Sequence, residues 1–298
     1  MTHFNCPICS VVGIPFLQAY DYNRRISNEV FSYYKCPSCD LIYLVNVPKD
    51  LDRYYPTDYY AIPADRESLL KNSAQERYKL EMVQQFLNKG RLLEIGPAWG
   101  TFAFLAHQAG FDVDVIEMDK LCCDFIQNKL GIKVICSNDP IAAIADTAGY
   151  DVIALWQVIE HLSNPFPILK AATQKLLPGG ILVVAAPNPA SFQFKILGRF
   201  WTHLDAPRHL ALIPSDLLVR QMETLGLECL LLTTTDKGSL GWNSFGWAFS
   251  FHNFFRGRFV KYAVRCVGRI LTKLLIPVEQ SGFRGSAYTA IFQKKQTI

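Results

Sequence analysis

Four cysteines near the start of the chain have the spacing of a metal site. Cys6 and Cys9 form CPIC, Cys36 and Cys39 form CPSC, and the pattern is C-x2-C-x26-C-x2-C. Zn²⁺ binds four thiolates in a tetrahedron, and each C-x-x-C turn presents two sulfurs to one ion. The segment between the two turns is rich in aromatic and β-branched residues, as the strands of a zinc ribbon would be. We therefore predict a structural Zn²⁺ site at these four cysteines.

Composition places the chain among globular proteins. Of its 298 residues, 50% are hydrophobic and 19% are charged, and the net charge is only +4. A disordered chain is thereby excluded, and no polyanionic partner is implied. Apolar runs fall short of the roughly 20 residues that span a bilayer, and the first residues lack the features of a secretory signal. We expect a cytoplasmic protein, with the remaining cysteines, at positions 122, 123, 136, 229 and 266, as reduced core residues.

The stretch LLEIGPAWG, residues 92–100, has the composition of a nucleotide-binding turn. Gly96 and Gly100 let the backbone pass close to a ligand. About 20 residues further on, Glu117 ends the next predicted strand, where it can accept hydrogen bonds from both ribose hydroxyls. These features fit both an NAD enzyme and an S-adenosylmethionine enzyme.

The residues around the two glycines favour a ligand without phosphate. A dinucleotide fingerprint reads G-x-G-x-x-G, but Ala98 and Thr101 occupy the second and third glycine positions. Glu94 would repel a pyrophosphate, whereas its carboxylate could receive the α-ammonium of a methionine moiety, directly or through water. An NAD dehydrogenase is therefore disfavoured.

The elements that must position these residues alternate from Arg91 onward. Short apolar runs predict strands at 91–95, 112–118, 132–136, 150–156 and 180–187, with helices beginning near residues 99, 120, 140 and 164. A further helix is predicted from about Arg66 to Asn88, ending at Gly90. Strands separated by helices imply a doubly wound α/β domain with a parallel sheet covered on both faces.

Four segments in this order resemble successive motifs of class I S-adenosylmethionine-dependent methyltransferases: RLLEIGPAWGTFAFLA, VIEMD, YDVIALWQVIEHLSNP and LLPGGILVVAAPN. The resemblance covers about residues 92–226 and is greatest to the group with ubiquinone-pathway O-methyltransferases and many small-molecule enzymes. It implies a Rossmann-like, mostly parallel seven-stranded sheet, with 227–235 and 286–294 as an antiparallel final pair. The first 60 residues are also similar to some nucleotide-sugar C-methyltransferases, in which CPxC segments precede a Tyr-rich stretch.

The resemblance implies a set of residues for S-adenosylmethionine. The methionine and ribose would be lined by Glu94, Gly96, Ala98 and Gly100, the ribose diol held by Glu117, adenine covered by Met118, and the sulfonium faced by the main chain around Trp156 and Gln157. The family usually has glycine at Ala98 and often cysteine at Pro97. Met118 and Trp156 could instead be ordinary core residues.

Candidates for the general base follow the fourth and fifth predicted strands. Methyl transfer requires alignment of nucleophile, methyl and sulfur, and an acidic nucleophile must lose its proton. Glu160 and His161 follow the fourth strand, and His203 and His209 follow the fifth; each histidine could also be purely structural. Some relatives read E-x-x-E-H here and bind a divalent cation, but Gln157 replaces the first glutamate, so we do not predict a catalytic metal.

Residues 236–285 contain an aromatic run followed by a basic amphipathic segment. On a helix, Arg258, Lys261, Arg265, Arg269 and Lys273 fall on one side and apolar residues cover the rest. Residues 244–276 therefore predict a peripheral contact with the inner face of a membrane. A helix packed on the domain with a solvated basic face, or a dimer interface, would share this pattern.

We predict three regions: a zinc ribbon at 1–48, a Tyr-rich loop and linker helix at 49–90, and the methyltransferase domain at 91–298, with insertions at about 188–213 and 236–285. The expected activity is methylation of a small-molecule acceptor that is sugar, quinone-like or lipid-linked. A zinc-ribbon RNA methyltransferase is an alternative, but residues 1–60 hold five Lys or Arg against six Asp or Glu, which disfavours nucleic acid. The other alternative is a non-catalytic protein that has the methyltransferase fold and binds a partner.

Overall fold

The computed structural model describes residues 4–56, 59, 61–254 and 258–295, which form two β-sheets flanked by helices. The strands are β1 (Ile14–Ala19), β2 (Phe31–Lys35), β3 (Ile42–Leu44), β4 (Arg91–Ile95), β5 (Asp112–Glu117), β6 (Lys133–Cys136), β7 (Tyr150–Trp156), β8 (Leu176–Pro187), β9 (Ala211–Leu212), β10 (Leu227–Thr233) and β11 (Ala287–Lys294). Within these ranges no helix has the length and apolar character needed to cross a bilayer.

The helices connect the strands and cover the larger sheet. They are α1 (Arg66–Asn72), α2 (Arg77–Gln84), α3 (Thr101–Gln108), α4 (Lys120–Phe125), α5 (Pro140–Ala145), α6 (Phe166–Lys175), α7 (Phe192–Leu197), α8 (Ser215–Thr224), α9 (Lys237–Phe254) and α10 (Arg258–Glu279). Short 3-10 turns at Ile159–His161 and Thr202–Leu204 lie beside the candidate site.

The larger sheet has seven strands in the order β10-β11-β8-β7-β4-β5-β6. Strands β4 to β8 run parallel to one another, and β11 runs antiparallel to both β8 and β10. Alternate residues of β4 pack into different apolar clusters: Leu93 and Ile95 on one face, Leu92 on the other. The predicted doubly wound sheet with an antiparallel final pair is therefore confirmed.

The predicted helix from Arg66 to Asn88 is wrong as a single element. The chain forms α1, a 3-10 turn at Ser73–Gln75, and then α2, which ends at Gln84. The hydroxyl of the buried Ser73 donates to the carbonyl of Leu70 at 2.8 Å. Such back-bonding competes with the regular helix ladder.

The smaller sheet joins the N-terminal segment, which extends to residue 59, to a distant part of the chain. Its order is β1-β2-β3-β9, and Ile42 and Tyr43 of β3 pair with Leu212 and Ala211 of β9. Since β9 lies in the predicted insertion at 188–213, this sheet crosses the predicted boundary at residue 48. The two regions also share one apolar cluster, in which Tyr33 packs with Trp201 and Trp247.

Of the five cysteines predicted as core residues, Cys122 and Cys123 are buried, while Cys229 and Cys266 are only partly so. The prediction is wrong for Cys136, which is exposed. Cys136 is the last residue of β6, an edge strand, so its side chain is covered on one side only.

Candidate active site and cysteine cluster

A cavity of about 920 Å³ lies at the carboxyl ends of the parallel strands, where open α/β sheets bind ligands. Its wall includes four parts of the chain that carry predicted or aromatic residues. These are the turn after β4 (Gly96, Pro97, Ala98, Trp99), the turn after β7 (Gln157, Glu160, His161), the N-terminal segment (Asn23, Arg24, Tyr59) and α9 (Trp242, Phe245, Phe249). Most of the residues predicted from sequence to line a site are thus brought to one place.

The turn after β4 uses left-handed backbone conformations. Gly96 has φ +68° and Gly100 has φ +77°. A Cβ at Gly96 would lie 2.8 Å from a methyl of Val158, and one at Gly100 would lie 2.9 Å from Ile126. Ala98 also has positive φ, 52°, a region that alanine adopts only with strain. This conformation explains why glycine is usual at the position of Ala98.

Glu94 is a buried carboxyl at the end of β4 that lines the cavity. Its Oε2 accepts a hydrogen bond from the backbone N–H of Ala103 at 2.9 Å. Burial raises the pKa of Glu94 to about 8, and the nearby Lys79 ammonium opposes that rise. The site therefore holds a carboxyl that would ionise fully only on gaining a cationic partner.

Lys79 of α2 is a cavity residue that the sequence did not single out. Its ammonium pairs with Glu76 and lies 5.2 Å from the ring centre of Trp156, and all three side chains line the cavity. No motif marks this lysine, because α2 reaches the site through tertiary packing. Its only signal in the sequence is its place in the helical segment that precedes β4.

Glu117 holds the β4 turn from the end of β5. Its Oε1 accepts from the N–H groups of Met118 and Asp119, both at 2.8 Å, and its Oε2 accepts from Ala98 at 3.0 Å. A carboxylate offers about four acceptor positions, so one remains for a ligand in this arrangement. Burial raises the pKa of Glu117 while the backbone hydrogen bonds lower it.

Met118 and Trp156 differ in exposure. Met118 is 66% exposed, so its side chain is open to a ligand. Trp156 is 6% exposed, packs edge-on against Phe102 with ring centres 5.5 Å apart, and borders the cavity. Next to it, Gln157 has φ +57°, and its N–H donates to Ala185 at 2.9 Å.

The predicted base candidates Glu160, His161 and His209 lie together. Their possible ligand atoms, one from each residue, are all within 4.8 Å of one another, and the two imidazole centres are 4.8 Å apart. Glu160 is 1% exposed, and its Oε2 has no hydrogen-bond partner among the described residues. Burial raises the pKa of Glu160 to about 8.

Backbone carbonyls orient both imidazoles. The Nδ1 of His161 lies 3.2 Å from the carbonyl oxygen of Arg208, and that of His209 lies 2.8 Å from the carbonyl oxygen of His203. Because a carbonyl only accepts, a hydrogen bond to it requires the proton on Nδ1 and would leave a lone pair on Nε2. Burial lowers the pKa of His161, and it lowers that of His209 to about 3. Burial therefore favours the neutral form of both rings.

His203 has different surroundings. Its Nε2 lies 3.0 Å from the carbonyl oxygen of Trp242, and its ring packs edge-on against Trp201 and Trp242. Burial lowers the pKa of His203 to about 4. The position favours the structural alternative for this histidine.

The four N-terminal cysteines also come together. Sγ distances are 3.6 Å for Cys6–Cys39 and 3.3 Å for Cys9–Cys36, and all four sulfurs lie within 4.8 Å of one another. Zn–S bonds of roughly 2.3 Å in a tetrahedron give S–S separations of about 3.8 Å. The two turns are alike: Ser10 and Asp40, each four residues after a first cysteine, have φ near +60° and donate to that cysteine's carbonyl at 3.0 Å. The donor set therefore fits Zn²⁺.

Comparison with known proteins identifies the family. Residues 68–232 match the family model described as "Methyltransferase domain", which is more than half of the chain. The protein belongs to this family. Its relatives include a ubiquinone biosynthesis O-methyltransferase of Bordetella avium, 28% identical over 130 residues, 40% of this chain and 54% of the relative. Another, from Cereibacter sphaeroides, is 26% identical over 171 residues, 54% of this chain and 67% of the relative.

A solved structure supports the same fold. A putative sarcosine dimethylglycine methyltransferase from Galdieria sulphuraria aligns with a TM-score of 0.51 at 14% identity, covering 78% of this chain and 89% of that one. The chain thus has the methyltransferase fold, and it spans about half the length of the first ubiquinone-pathway relative.

Proposed function

We propose that the protein transfers a methyl group from S-adenosylmethionine to a hydroxyl of a small acceptor with an apolar or aromatic body. One observation carries the proposal. A single cavity joins the β4 turn and Glu94 to a cluster of two buried residues, Glu160 and His209, and the half-buried His161, and an aromatic wall from α9 completes it. Relatives named O-methyltransferases support oxygen as the methylated atom.

The donor would lie along the β4 turn. Glu94 would receive the α-ammonium of the methionine moiety, and Lys79 would attract its carboxylate, because the pair offers both charges beside the cavity. A ribose hydroxyl would donate a hydrogen bond to the remaining acceptor position of the Glu117 carboxylate. Adenine would lie beside the exposed Met118. The main chain of Ala98, Gly100 and Gln157 would surround the sulfonium end, where Trp156 excludes water.

The acceptor would lie between the imidazoles and α9. A hydroxyl near the Nε2 atoms of His161 and His209 would give up its proton to one of them. Its oxygen would then attack the methyl carbon in line with the C–S bond, leaving S-adenosylhomocysteine and a methyl ether. Trp242, Phe245 and Phe249 supply flat apolar surface for the rest of the acceptor.

Zn²⁺ would bind to Cys6, Cys9, Cys36 and Cys39 as a structural ion. Cys6, Cys36 and Cys39 are buried, and they pack with Tyr43 in the same apolar cluster as residues of the large sheet. When bound, the ion would hold the two C-x-x-C turns together. With four protein ligands it has no open position for chemistry.

A peripheral membrane contact is supported by one face of α10. Val267, Ile270 and Leu274 are 50%, 58% and 68% exposed, and Arg269 and Lys273 are exposed beside them. The side chains of Arg258, Lys261 and Arg265 lie outside the described residues. Exposed apolar residues beside basic ones fit an interfacial helix that would bring a lipid-linked acceptor to the enzyme.

The test of the donor proposal is calorimetric binding of S-adenosylmethionine to Glu117→Ala. We expect at least tenfold weaker binding, about 1.4 kcal/mol, because the change removes a charge-assisted hydrogen bond and the anchor of the β4 turn. Glu67→Ala is the matched control, since Glu67 is an exposed glutamate that pairs with Lys71. Wild-type protein that fails to bind the ligand, or equal affinity in Glu117→Ala, would overturn the donor assignment.

A further inference from the structure

Arg208 is a fully buried cation that joins the N-terminal segment to the loop at 202–209. Its Nη2 lies 2.7 Å from Asp21 Oδ1 and 2.7 Å from Asp205 Oδ1, and its Nε lies 2.9 Å from Asp205 Oδ2. The side chains of Arg208 and Asp21 are both 0% exposed. A buried charge is tolerated only when it is paired, so these groups must stay together in the folded protein.

The backbone of the same residue contacts a base candidate. The carbonyl oxygen of Arg208 lies 3.2 Å from Nδ1 of His161. Two residues later, the N–H of Leu210 donates to the carbonyl oxygen of Glu160 at 2.7 Å. The guanidinium of Arg208 is thus bound by the N-terminal segment, while its carbonyl orients an imidazole of the site.

Other contacts from the N-terminal segment end on the same group of residues. The Tyr33 hydroxyl donates to the carbonyl of His209 at 2.8 Å, and Asn23 Nδ2 donates to the carbonyl of Thr202 at 2.7 Å. The Tyr55 hydroxyl lies 3.0 Å from Nδ1 of His161. Each contact supports the side of the cavity proposed for the acceptor.

The side of the cavity proposed for S-adenosylmethionine, the donor side, is held by a separate set of hydrogen bonds. Glu94 is held by Ala103 of α3, and Glu117 is held by Ala98 and its own neighbours Met118 and Asp119. These hydrogen bonds come from the large sheet and its first connections. The two halves of the cavity are therefore positioned by different parts of the chain.

We propose that Asp21, Arg208 and Tyr55 are positioning residues, through which the N-terminal segment fixes His161 with its proton on Nδ1 and its Nε2 toward the acceptor. The inference rests on the proposed function, because it gives the imidazole its role. Asp21 and Arg208 act by fixing the Arg208 carbonyl, and Tyr55 acts by contacting Nδ1 directly. None of the three touches the reacting atoms.

The experiment compares Asp21→Asn with wild type by nitrogen NMR of histidine-labelled protein, with the His161 signals assigned from a His161→Gln variant. Asp205 still pairs with Arg208 in Asp21→Asn, so the fold has a counterion. We expect wild-type His161 to show a single tautomer protonated at Nδ1, and Asp21→Asn to show a mixture. Asp50→Asn is the control, because Asp50 is an exposed carboxylate paired with Arg53.

Binding of S-adenosylmethionine is measured on the same samples. We expect Asp21→Asn to bind it within about twofold of wild type, since the donor side is supported separately. An unchanged His161 tautomer in Asp21→Asn, or a wild-type tautomer protonated at Nε2, overturns the inference. Failure of wild type to bind the donor overturns the proposed function instead. If Asp21→Asn does not fold, Tyr55→Phe provides the same comparison with no change in charge.

Discussion

Two buried glutamates in the cavity have different surroundings, which suit the different roles proposed for them. Burial raises the pKa of both Glu94 and Glu160 to about 8. Glu94 already accepts one backbone hydrogen bond and has Lys79 nearby, which prepares it to ionise when a cation arrives. Glu160 lies beside two neutral imidazoles with one oxygen unpartnered among the described residues, which suits proton exchange. The first fits ligand binding and the second fits chemistry.

The raised pKa of Glu94 predicts a pH-dependent affinity for S-adenosylmethionine. The unbound carboxyl is mostly protonated below about pH 8, and binding an ammonium requires it to lose that proton. Affinity should therefore rise with pH, by about tenfold per unit well below 8. The rise should stop near pH 7.7, where an α-ammonium itself begins to deprotonate. Calorimetry between pH 6 and 7.5, in buffers of different ionisation enthalpy, should detect proton release.

Glu94→Gln is the decisive variant for that prediction. A glutamine keeps the shape and one acceptor oxygen but cannot ionise, so its affinity should be low and nearly independent of pH over this range. Glu81→Gln is a suitable control, because Glu81 is an exposed glutamate of α2. A wild-type affinity that stays flat, or a Glu94→Gln variant that keeps the wild-type slope, would contradict the role given to Glu94.

The sequence identified side chains that lie at the carboxyl end of a strand or in the turn directly after it. Glu94, Gly96 and Glu117 belong to one local pattern, because the strand, the turn and the ligand-facing edge are adjacent in the chain. Lys79 and Arg208 carry no such pattern. Their contacts with the site depend on how α2 and the loop at 202–209 pack, which local periodicity does not encode.

At the element scale, the buried strands were the most predictable parts. Strands β4 and β7 have the predicted bounds, because short apolar runs buried on both faces have little alternative. Strand β8 begins four residues before the predicted 180, since Leu176 already pairs with Tyr150 of β7. The two-residue β9 exists only through its pairing with β3, so no pattern in its own sequence could reveal it.

The aromatic run and the basic helix have different surroundings. Trp242, Phe245 and Phe249 of α9 line the cavity, where the proposed function has them contact the acceptor rather than a membrane. In α10, Leu271 and Leu275 pack against the apolar cluster that contains Tyr33 and Trp201, whereas Ile270 and Leu274 are exposed. The apolar residues of α10 therefore cover a wider part of the helix surface than the part that packs against the rest of the protein.

The exposed face of α10 predicts binding to anionic vesicles. Reversing Arg269 and Lys273 to Glu should weaken flotation on phosphatidylserine-containing liposomes at low salt by at least tenfold, because each basic residue near an anionic leaflet contributes about 1 kcal/mol. A second variant, Ile270→Ser with Leu274→Ser, tests the apolar contribution. The control reverses two exposed lysines elsewhere, Lys89 and Lys129, and changes net charge equally.

Four flotation results are informative. Binding by wild type and the control with loss in the α10 charge variant supports the membrane contact. Wild type that stays unbound at low salt contradicts it, and so does an α10 charge variant that floats like wild type. Loss in the α10 charge variant and the control alike would mean that net charge, and not this helix, attracts the protein.

At the scale of the whole molecule, the N-terminal segment and the methyltransferase fold share structural elements. Strand β9 completes the small sheet, and the buried pair of Asp21 and Arg208 links the two regions. The sequence predicted a zinc ribbon and a methyltransferase domain as successive units. It could not predict their sharing of a sheet, because pairing between residues 42 and 212 depends on the arrangement of the whole chain.

Zn²⁺ should therefore affect the acceptor side of the cavity more than the donor side. We expect one zinc per chain by elemental analysis, and none in a Cys36→Ser/Cys39→Ser variant. Because metal binding contributes folding free energy, removing the ion should loosen β1 to β3 and faster hydrogen exchange should spread to residues 202–212. Exchange in the β4 turn and affinity for S-adenosylmethionine should stay close to wild type.

A Cys136→Ser/Cys266→Ser variant, outside the cluster, should keep its zinc and its exchange pattern. Zinc-free wild type, or a zinc-free variant with unchanged exchange at 202–212, would show that the cysteine cluster does not support the acceptor side.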